Sequence, residues 1–238
     1  MIDRLYFRQL LAGRDFARDD PVARAMRNFV YLVGDLERGE AIVVDPAYRP
    51  DEIVELASRD ALTIVGALAT HYHPDHVGGT LMGRERVAGA FELRQLLGVS
   101  LHVQRTESTW ITSRTALTLD DLILHDDGDV ISVGEVTLTL RHTPGHTPGS
   151  QCVEVAGRLL SGDTLFLDGC GRTDLPGGDA AELYRSLHER LAVVADDVVL
   201  FPGHLYSEES SLDLGTVRRR NAVLAPRSAR EWLALFGA

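Results

Sequence analysis

Four apolar, β-branched runs in this chain of 238 residues each stop abruptly on a side chain that can bind a metal ion. Thr63 to Thr70 empties into His71-Tyr72-His73-Pro74-Asp75-His76, and Val136 to Leu140 leads on to His146. Arg158 to Gly162 ends on Asp163, and Val198 to Gly203 ends on His204. Strand ends gather along one edge of a sheet, so residues remote in sequence can converge on one point. Five imidazoles and two carboxylates so placed predict a metal site with room for two ions.

Charge and composition narrow the remaining choices. The formal net charge of −11 argues against a nucleic-acid partner, because phosphate backbones need clustered Lys and Arg. Arg218-Arg219-Arg220, the one basic run, reads as a solvated helix face. No apolar run approaches the roughly 18 residues of a membrane span, and Met1 to Arg8 lacks a signal-peptide core. Two cysteines, Cys152 and Cys170, are too few for a disulfide framework, which fits a reducing cytoplasm.

The order of elements is that of an alternating α/β chain. Asn28 to Val33 and Ala41 to Val44 read as an opening hairpin around Gly34 to Gly39, and Asp51 to Ala57 after Pro50 as a helix. A second helix is expected from about Arg84 to Leu97, and mostly strand from Val99 to Val155, with Asp126-Asp127-Gly128-Asp129 as a turn rather than a calcium loop. Asp179 caps a helix whose Leu183, Leu187, Leu191 and Val194 form one stripe. The tail from Glu208 to Ala238 reads as helical with a break at Pro226.

The ligand-rich loop carries the most information. His71 and His73 alternate in extended chain and can approach one ion, while Asp75 and His76 can turn towards a second. Together with Thr143-Pro-Gly-His146-Thr-Pro-Gly-Ser150, Ser161-Gly-Asp163-Thr-Leu-Phe166 and Pro202-Gly-His204, this loop resembles the metallo-β-lactamase superfamily. The resemblance covers nearly the whole chain. It implies one αββα sandwich domain over residues 1–238 with the metal site at one edge of its two sheets. It further implies His71, His73 and His146 as ligands of a first metal, Asp75, His76 and His204 as ligands of a second, and Asp163 as the bridge. Such a centre activates water for attack on an electrophilic carbonyl, with Asp75 orienting the nucleophile. Zinc suits this imidazole-rich set, two ions being expected, and iron and manganese are compatible.

Substrate class has to come from rarer residues. Gly169-Cys-Gly-Arg172-Thr-Asp174 resembles the matching loop of two relatives, glyoxalase II and persulfide dioxygenase. The first hydrolyses a glutathione thioester; the second is a mononuclear iron enzyme that oxidises glutathione persulfide, for which His71, His146 and Asp163 could supply the two-His, one-carboxylate set. Arg172 either meets a substrate carboxylate or pairs with Asp174. Tyr206 either lines the pocket, as a tyrosine does in glyoxalase II, or packs on the metal loop. Only Leu205 to Ala238 follow His204, too little for the glutathione-binding domain of glyoxalase II. The leading expectation is a cytoplasmic hydrolase of a small-molecule thiol ester, with persulfide oxidation as the alternative. The resemblance is compatible with a homodimer.

The other histidines have plainer readings. His102 is expected on the solvent side of a strand, His125 and His188 in water, and His142 at a strand end within reach of a ligand. Cys152 reads as core, Cys170 as a neighbour of the site without nucleophilic function, and Trp110 as a residue packing a helix onto the sandwich or else covering the site mouth.

Overall fold

A computed structural model describes residues 4–81 and 85–236. Alternation along the early strands explains the architecture. In β2 (Phe29–Asp35), Phe29, Tyr31 and Val33 point to one apolar cluster while Val30 and Leu32 point to another. In β3 (Glu40–Val44), Ile42 and Val44 join the first cluster and Ala41 and Val43 the second. A strand apolar on both faces must be covered on both sides, so the sheet lies between two layers.

That sheet has six strands, adding β1 (Leu5–Leu11), β4 (Thr63–Leu68), β7 (Leu101–Gln104) and β8 (Leu122–His125) in the order β1-β2-β3-β4-β7-β8. The second six-stranded sheet runs β14-β13-β12-β11-β10-β9, built from β9 (Val130–Val133), β10 (Val136–His142), β11 (Gln151–Val155), β12 (Arg158–Gly162), β13 (Val199–Pro202) and β14 (Leu212–Asp213). Between the sheets lie Tyr31, Val33, Leu68, Leu138, Leu140, Val153 and Leu160. Outside the first sheet, Ile53 of α2 (Pro50–Arg59), Leu93 of α4 (Ala90–Leu97) and Ile111 of α5 (Ser108–Arg114) share a core with Val30, Leu32 and Val43. Outside the second, Leu183 of α6 (Ala180–Arg185), Val217 of α7 (Leu214–Arg220) and Trp232 of α8 (Ala229–Phe236) pack on Cys152, Leu159 and Leu200. The αββα order of layers follows from these three cores.

Expected elements with local signals are present. Asp179 accepts hydrogen bonds from the amides of Ala181 and Glu182, and Leu183, Leu187, Leu191 and Val194 are all buried. Pro50 opens α2 with two acids behind it, where the helix dipole favours them. Asp126 to Asp129 is a turn, its Gly128 at a φ of 82° that suits glycine.

Other expectations need correction. β1, which pairs antiparallel with β2, and α1 (Pro21–Met26), capped by Asp20, had no counterpart in the sequence reading. The expected helix start at Arg84 lies outside the described residues; beyond the single-turn α3 (Pro74–Val77), β5 (Gly79–Leu81) pairs with β6 (Glu85–Val87), and the helix α4 begins at Ala90. The stretch expected to be mostly strand contains α5. Its Ser-Thr-Trp-Ile-Thr-Ser-Arg sequence is rich in residues with weak helix propensity, yet Thr112, Ser113 and Thr115 turn their hydroxyls back onto the carbonyls of Thr109, Trp110 and Ile111. In the tail, Leu212–Asp213 is a strand edge, and Pro226 falls between α7 and α8.

Candidate metal centre

All seven expected ligands converge. His71 and His73 follow β4, and Asp75 and His76 sit on the single helical turn Pro74–Val77 behind them. His146 lies between β10 and β11, Asp163 directly after β12, and His204 two residues beyond β13. The site therefore straddles corresponding edges of both sheets. Donor atoms of three overlapping groups lie within 4.8 Å of one another: His71 with His73 and His146, His71 with His76 and Asp163, and Asp75 with His76 and His204. His73 Nδ1 lies 3.0 Å from both His71 Nε2 and His146 Nε2. His76 Nε2 lies 3.2 Å from His204 Nε2 and 3.4 Å from Asp163 Oδ1.

Outer partners fix how four of the imidazoles present themselves. His146 Nδ1 is 2.7 Å from the Arg172 carbonyl and His204 Nδ1 is 2.8 Å from the Met26 carbonyl. A carbonyl can only accept, so both Nδ1 atoms carry the proton and both Nε2 lone pairs face the site. His76 Nδ1 does the same towards Asp45 Oδ2 at 2.8 Å. Thr70 donates its hydroxyl to Asp45 Oδ2 at 2.7 Å, which leaves Thr70 Oγ1 to accept from His71 Nδ1 at 3.0 Å. Asp45 thus orients two imidazoles at once, with its φ of 57° in a left-handed region that aspartate tolerates.

Electrostatics reinforce the geometry. Burial lowers His71 well below the ordinary histidine range, helped by its imidazole neighbours His76 and His73. Burial would lower His76 too, but Asp163, Asp75 and Asp45 prevail and raise it to about 10. Burial opposes ionisation of Asp163, yet His204 and His76 hold it well below the usual carboxylate range. The carboxylates therefore favour a cation on the His76 side, while His71 is kept from taking up a proton. Asp163 Oδ1 is buried and makes no hydrogen bond, an unmet demand that a bound ion would satisfy. Two glycines make room for the donors: a Cβ at Gly203 would lie 2.4 Å from Asp163 Oδ1, and one at Gly171 would lie 2.1 Å from the Asp163 carbonyl oxygen and 2.7 Å from His146 Nδ1. These donors fit a resident metal.

Three buried polar residues were missing from the sequence reading. Asn28 Nδ2 donates to Asp75 Oδ2 at 3.1 Å while Tyr48 donates to Asn28 Oδ1 at 2.7 Å, which fixes the direction of the amide. Glu107 accepts from the Tyr72 amide at 2.7 Å, the Thr147 hydroxyl at 2.7 Å and the Gly149 amide at 2.6 Å, and so ties the His71–His73 loop to the His146 loop. Burial pushes its carboxyl up to about 7. Asp45 carried a usable signal, since it ends the Ala41 to Val44 run just as Asp163 ends its own. Asn28 and Glu107 carry none that a single sequence displays.

A cavity of about 580 Å³ opens over the donors, lined among others by His73, Asp75, His146, Asp163, His204, Phe166, Cys170, Arg172 and Tyr206. Arg172 lines it but is held by Asp174 through a two-pronged pair, 2.6 and 2.5 Å. Tyr206 stacks on the His204 ring at 4.7 Å and 9°, so it both packs on the metal loop and faces the cavity. Cys170 is a wall residue whose thiol burial pushes up to about 12, which leaves it neutral. Trp110 stacks on Tyr72 at 5.0 Å and packs against the first core, as the packing expectation had it. His142 lies 2.9 Å from the Pro148 carbonyl and braces the His146 loop from behind. The remaining histidines correct the expectation of solvated rings: His188 stacks on Tyr184 and reaches the Val223 carbonyl, and His102 and His125 bond each other.

A family model for the metallo-β-lactamase superfamily matches residues 24–204. The mitochondrial persulfide dioxygenase ETHE1 of Homo sapiens is 34% identical over 223 residues, spanning 88% of this chain and 76% of that protein. The probable metallo-hydrolase YqgX of Bacillus subtilis is 30% identical over 199 residues, spanning 77% of this chain and 87% of that protein. Among solved structures, ETHE1 from Myxococcus xanthus superposes with a TM-score of 0.79, covering 98% of this chain and 90% of that one at 24% identity, a likeness of fold. Among the described residues no helix is long and apolar enough to cross a membrane.

Proposed function

Because this chain belongs to the metallo-β-lactamase superfamily of metal-binding enzymes, we propose that its centre holds one iron ion and oxidises the persulfide of a low-molecular-weight thiol. The observation that carries this reading is the 34% identity to a persulfide dioxygenase along 88% of the chain. This reading takes the alternative of the sequence analysis over its leading expectation of thioester hydrolysis. In the overall reaction one dioxygen and one water convert R–S–SH into R–SH and sulfurous acid, the outer sulfur giving up four electrons. Iron, when bound, supplies the redox chemistry that lets dioxygen react with sulfur. His71, His146 and Asp163 would hold it, a two-His, one-carboxylate donor set that suits iron.

The rest of the cavity suits such a substrate. Phe166, Leu175 and Pro176 offer an apolar wall beside the donors, where a soft sulfur can be desolvated. Tyr206 is kept protonated by burial and by Asp163 and Asp75, so its hydroxyl is a hydrogen-bond donor at the mouth. Cys170, neutral, does not compete as a nucleophile.

A second reading has its own support. Asp75, His76 and His204 form a further donor group beside the first, and a probable metallo-hydrolase is among the relatives. Two zinc ions there would favour hydrolysis of a thioester, with Asp75, held by Asn28, orienting the attacking water. Metal content of protein purified without added metal separates the two: iron near one equivalent per chain supports oxidation, and zinc near two equivalents supports hydrolysis.

A further inference from the structure

We propose that Arg114, rather than Arg172, anchors a carboxylate of the substrate. This rests on the reading that the substrate is a peptide-like thiol persulfide bearing carboxylates. Two arginines line the cavity, and they differ in one respect. The Arg172 guanidinium is already spent on Asp174, both prongs engaged. Arg114 has no carboxylate partner among the described residues. Instead its guanidinium lies over the Tyr72 ring at 4.9 Å and the Trp110 ring at 5.8 Å.

The stack matters because it spends no hydrogen bonds. A cation on aromatic faces is held in place while its N–H fork stays free for an incoming planar anion. Tyr72 and Trp110 are themselves stacked at 5.0 Å and 17°, and the Tyr72 hydroxyl donates to the Pro176 carbonyl at 2.6 Å, so the platform is fixed at both ends. The Tyr72 ring is 4.6 Å from the His73 ring, which places Arg114 two ring contacts from the metal donors. Extended chain spans about 3.3–3.6 Å per residue, so a thiol whose sulfur sits at the donors can bring a carboxylate one or two residues away to Arg114.

Position within the cavity agrees. Arg114 and Thr80 are shared with a smaller adjoining pocket of about 230 Å³, lined also by Gly78, Gly79, Phe91 and the mutually paired Arg86 and Glu92. A substrate tail running from the metal past Tyr72 leads into this annex, whereas Arg172 lies on the wall with Cys170 and Gly171. In a chain of net charge −11 an unpaired arginine at the mouth of the site is a local exception that favours an anionic ligand.

The test is calorimetric binding of S-methylglutathione, which cannot turn over, and of its analogue with the glycine carboxylate converted to an amide, to the purified protein. Losing one charge-assisted hydrogen-bonded contact predicts roughly tenfold or greater weakening of S-methylglutathione in Arg114→Gln, partly restored in Arg114→Lys. The amide analogue should bind wild-type protein as weakly as S-methylglutathione binds Arg114→Gln, and should be indifferent to that substitution. Arg172→Gln should leave the affinity of S-methylglutathione within twofold. The proposal is overturned if Arg114→Gln binds like wild type, if both ligands weaken equally, if Arg172→Gln takes the loss instead, or if wild-type protein binds neither ligand. Oxygen uptake with glutathione persulfide, measured on the same wild-type sample, separates the two claims. Uptake without Arg114-dependent binding sinks the anchor alone, and Arg114-dependent binding without uptake sinks the oxidation reading alone.

Discussion

Among the described residues, one cluster of buried imidazoles and one pair of half-buried ones stand apart, and only the first is built for a cation. At the shared edge of the sheets, four histidines are each tied by Nδ1 to a carbonyl, to Asp45 or to Thr70, so their free nitrogens aim at one another and at Asp163. At the far edge of the first sheet, His102 Nδ1 lies 2.8 Å from His125 Nε2 with the rings stacked, and His125 Nδ1 lies 3.4 Å from Asp129. There each imidazole satisfies the other, and no buried carboxylate is left wanting. Burial and neighbouring imidazoles lower His71 in the first cluster as they lower His102 to about 4 in the second, but in the first Asp163, Asp75 and Asp45 also raise His76 to about 10. Close histidines alone do not make a metal site; outer partners and an unmatched carboxylate do.

The comparison is sharpened first by removing the unmatched carboxylate. Asp163→Ala is expected to lose essentially all bound metal and all turnover, while His102→Ala and His125→Ala keep the metal content of the wild type by elemental analysis. Metal retained in Asp163→Ala, or lost in the other two, would break the contrast. Next comes Asp45→Ala, which frees His71 and His76 to turn. Outer-partner losses cost about 10–100-fold in metal affinity, readable by competition with a chelator of known strength.

A third effect is smaller and lies in the second cluster. The folded-state pKa of His102 is depressed from the ordinary 6.5 to about 4, so the unfolded chain binds more protons in between. Stability from this group is present above pH 6.5 and is lost as the pH falls towards 4, on the order of 2 kcal/mol once its partial exposure is allowed for. Urea unfolding of the metal-free protein across that window should show a flatter pH dependence in His102→Gln than in wild type. The smallest effect is expected from Arg105→Ala, which breaks an exposed pair with Asp126 beside His125 and should leave the urea midpoint unchanged, because solvent screens such a pair. A clear shift of the midpoint would mean that the second cluster is more tightly organised than its contacts indicate.

The metal edge was legible in the sequence because each expected donor lies in a segment that leaves the end of a strand, and strand ends gather at one edge of a sheet. All seven expected donors meet, and the layer order follows from strands apolar on both faces. What supports the donors was far less legible. Asn28 and Glu107 act through hydrogen bonds to residues 47 and 35 positions away, and nothing in their local sequence marks them. The helix at Ser108–Arg114 hid behind hydroxyl and β-branched residues that favour extended chain on their own, and with it went the position of Arg114. Arg172 was visible as a cation near the site with Asp174 as one of its two readings, and the pair with Asp174 is the one the structure shows.

Oxygen consumption by the purified protein, with no metal added and glutathione persulfide as substrate, bears most directly on the proposed chemistry. Uptake of one dioxygen per persulfide with sulfite as product, abolished in Asp163→Ala, is the expected result. Iron-loaded wild-type protein that takes up no oxygen, alongside a zinc-loaded form that hydrolyses a glutathione thioester, would contradict it.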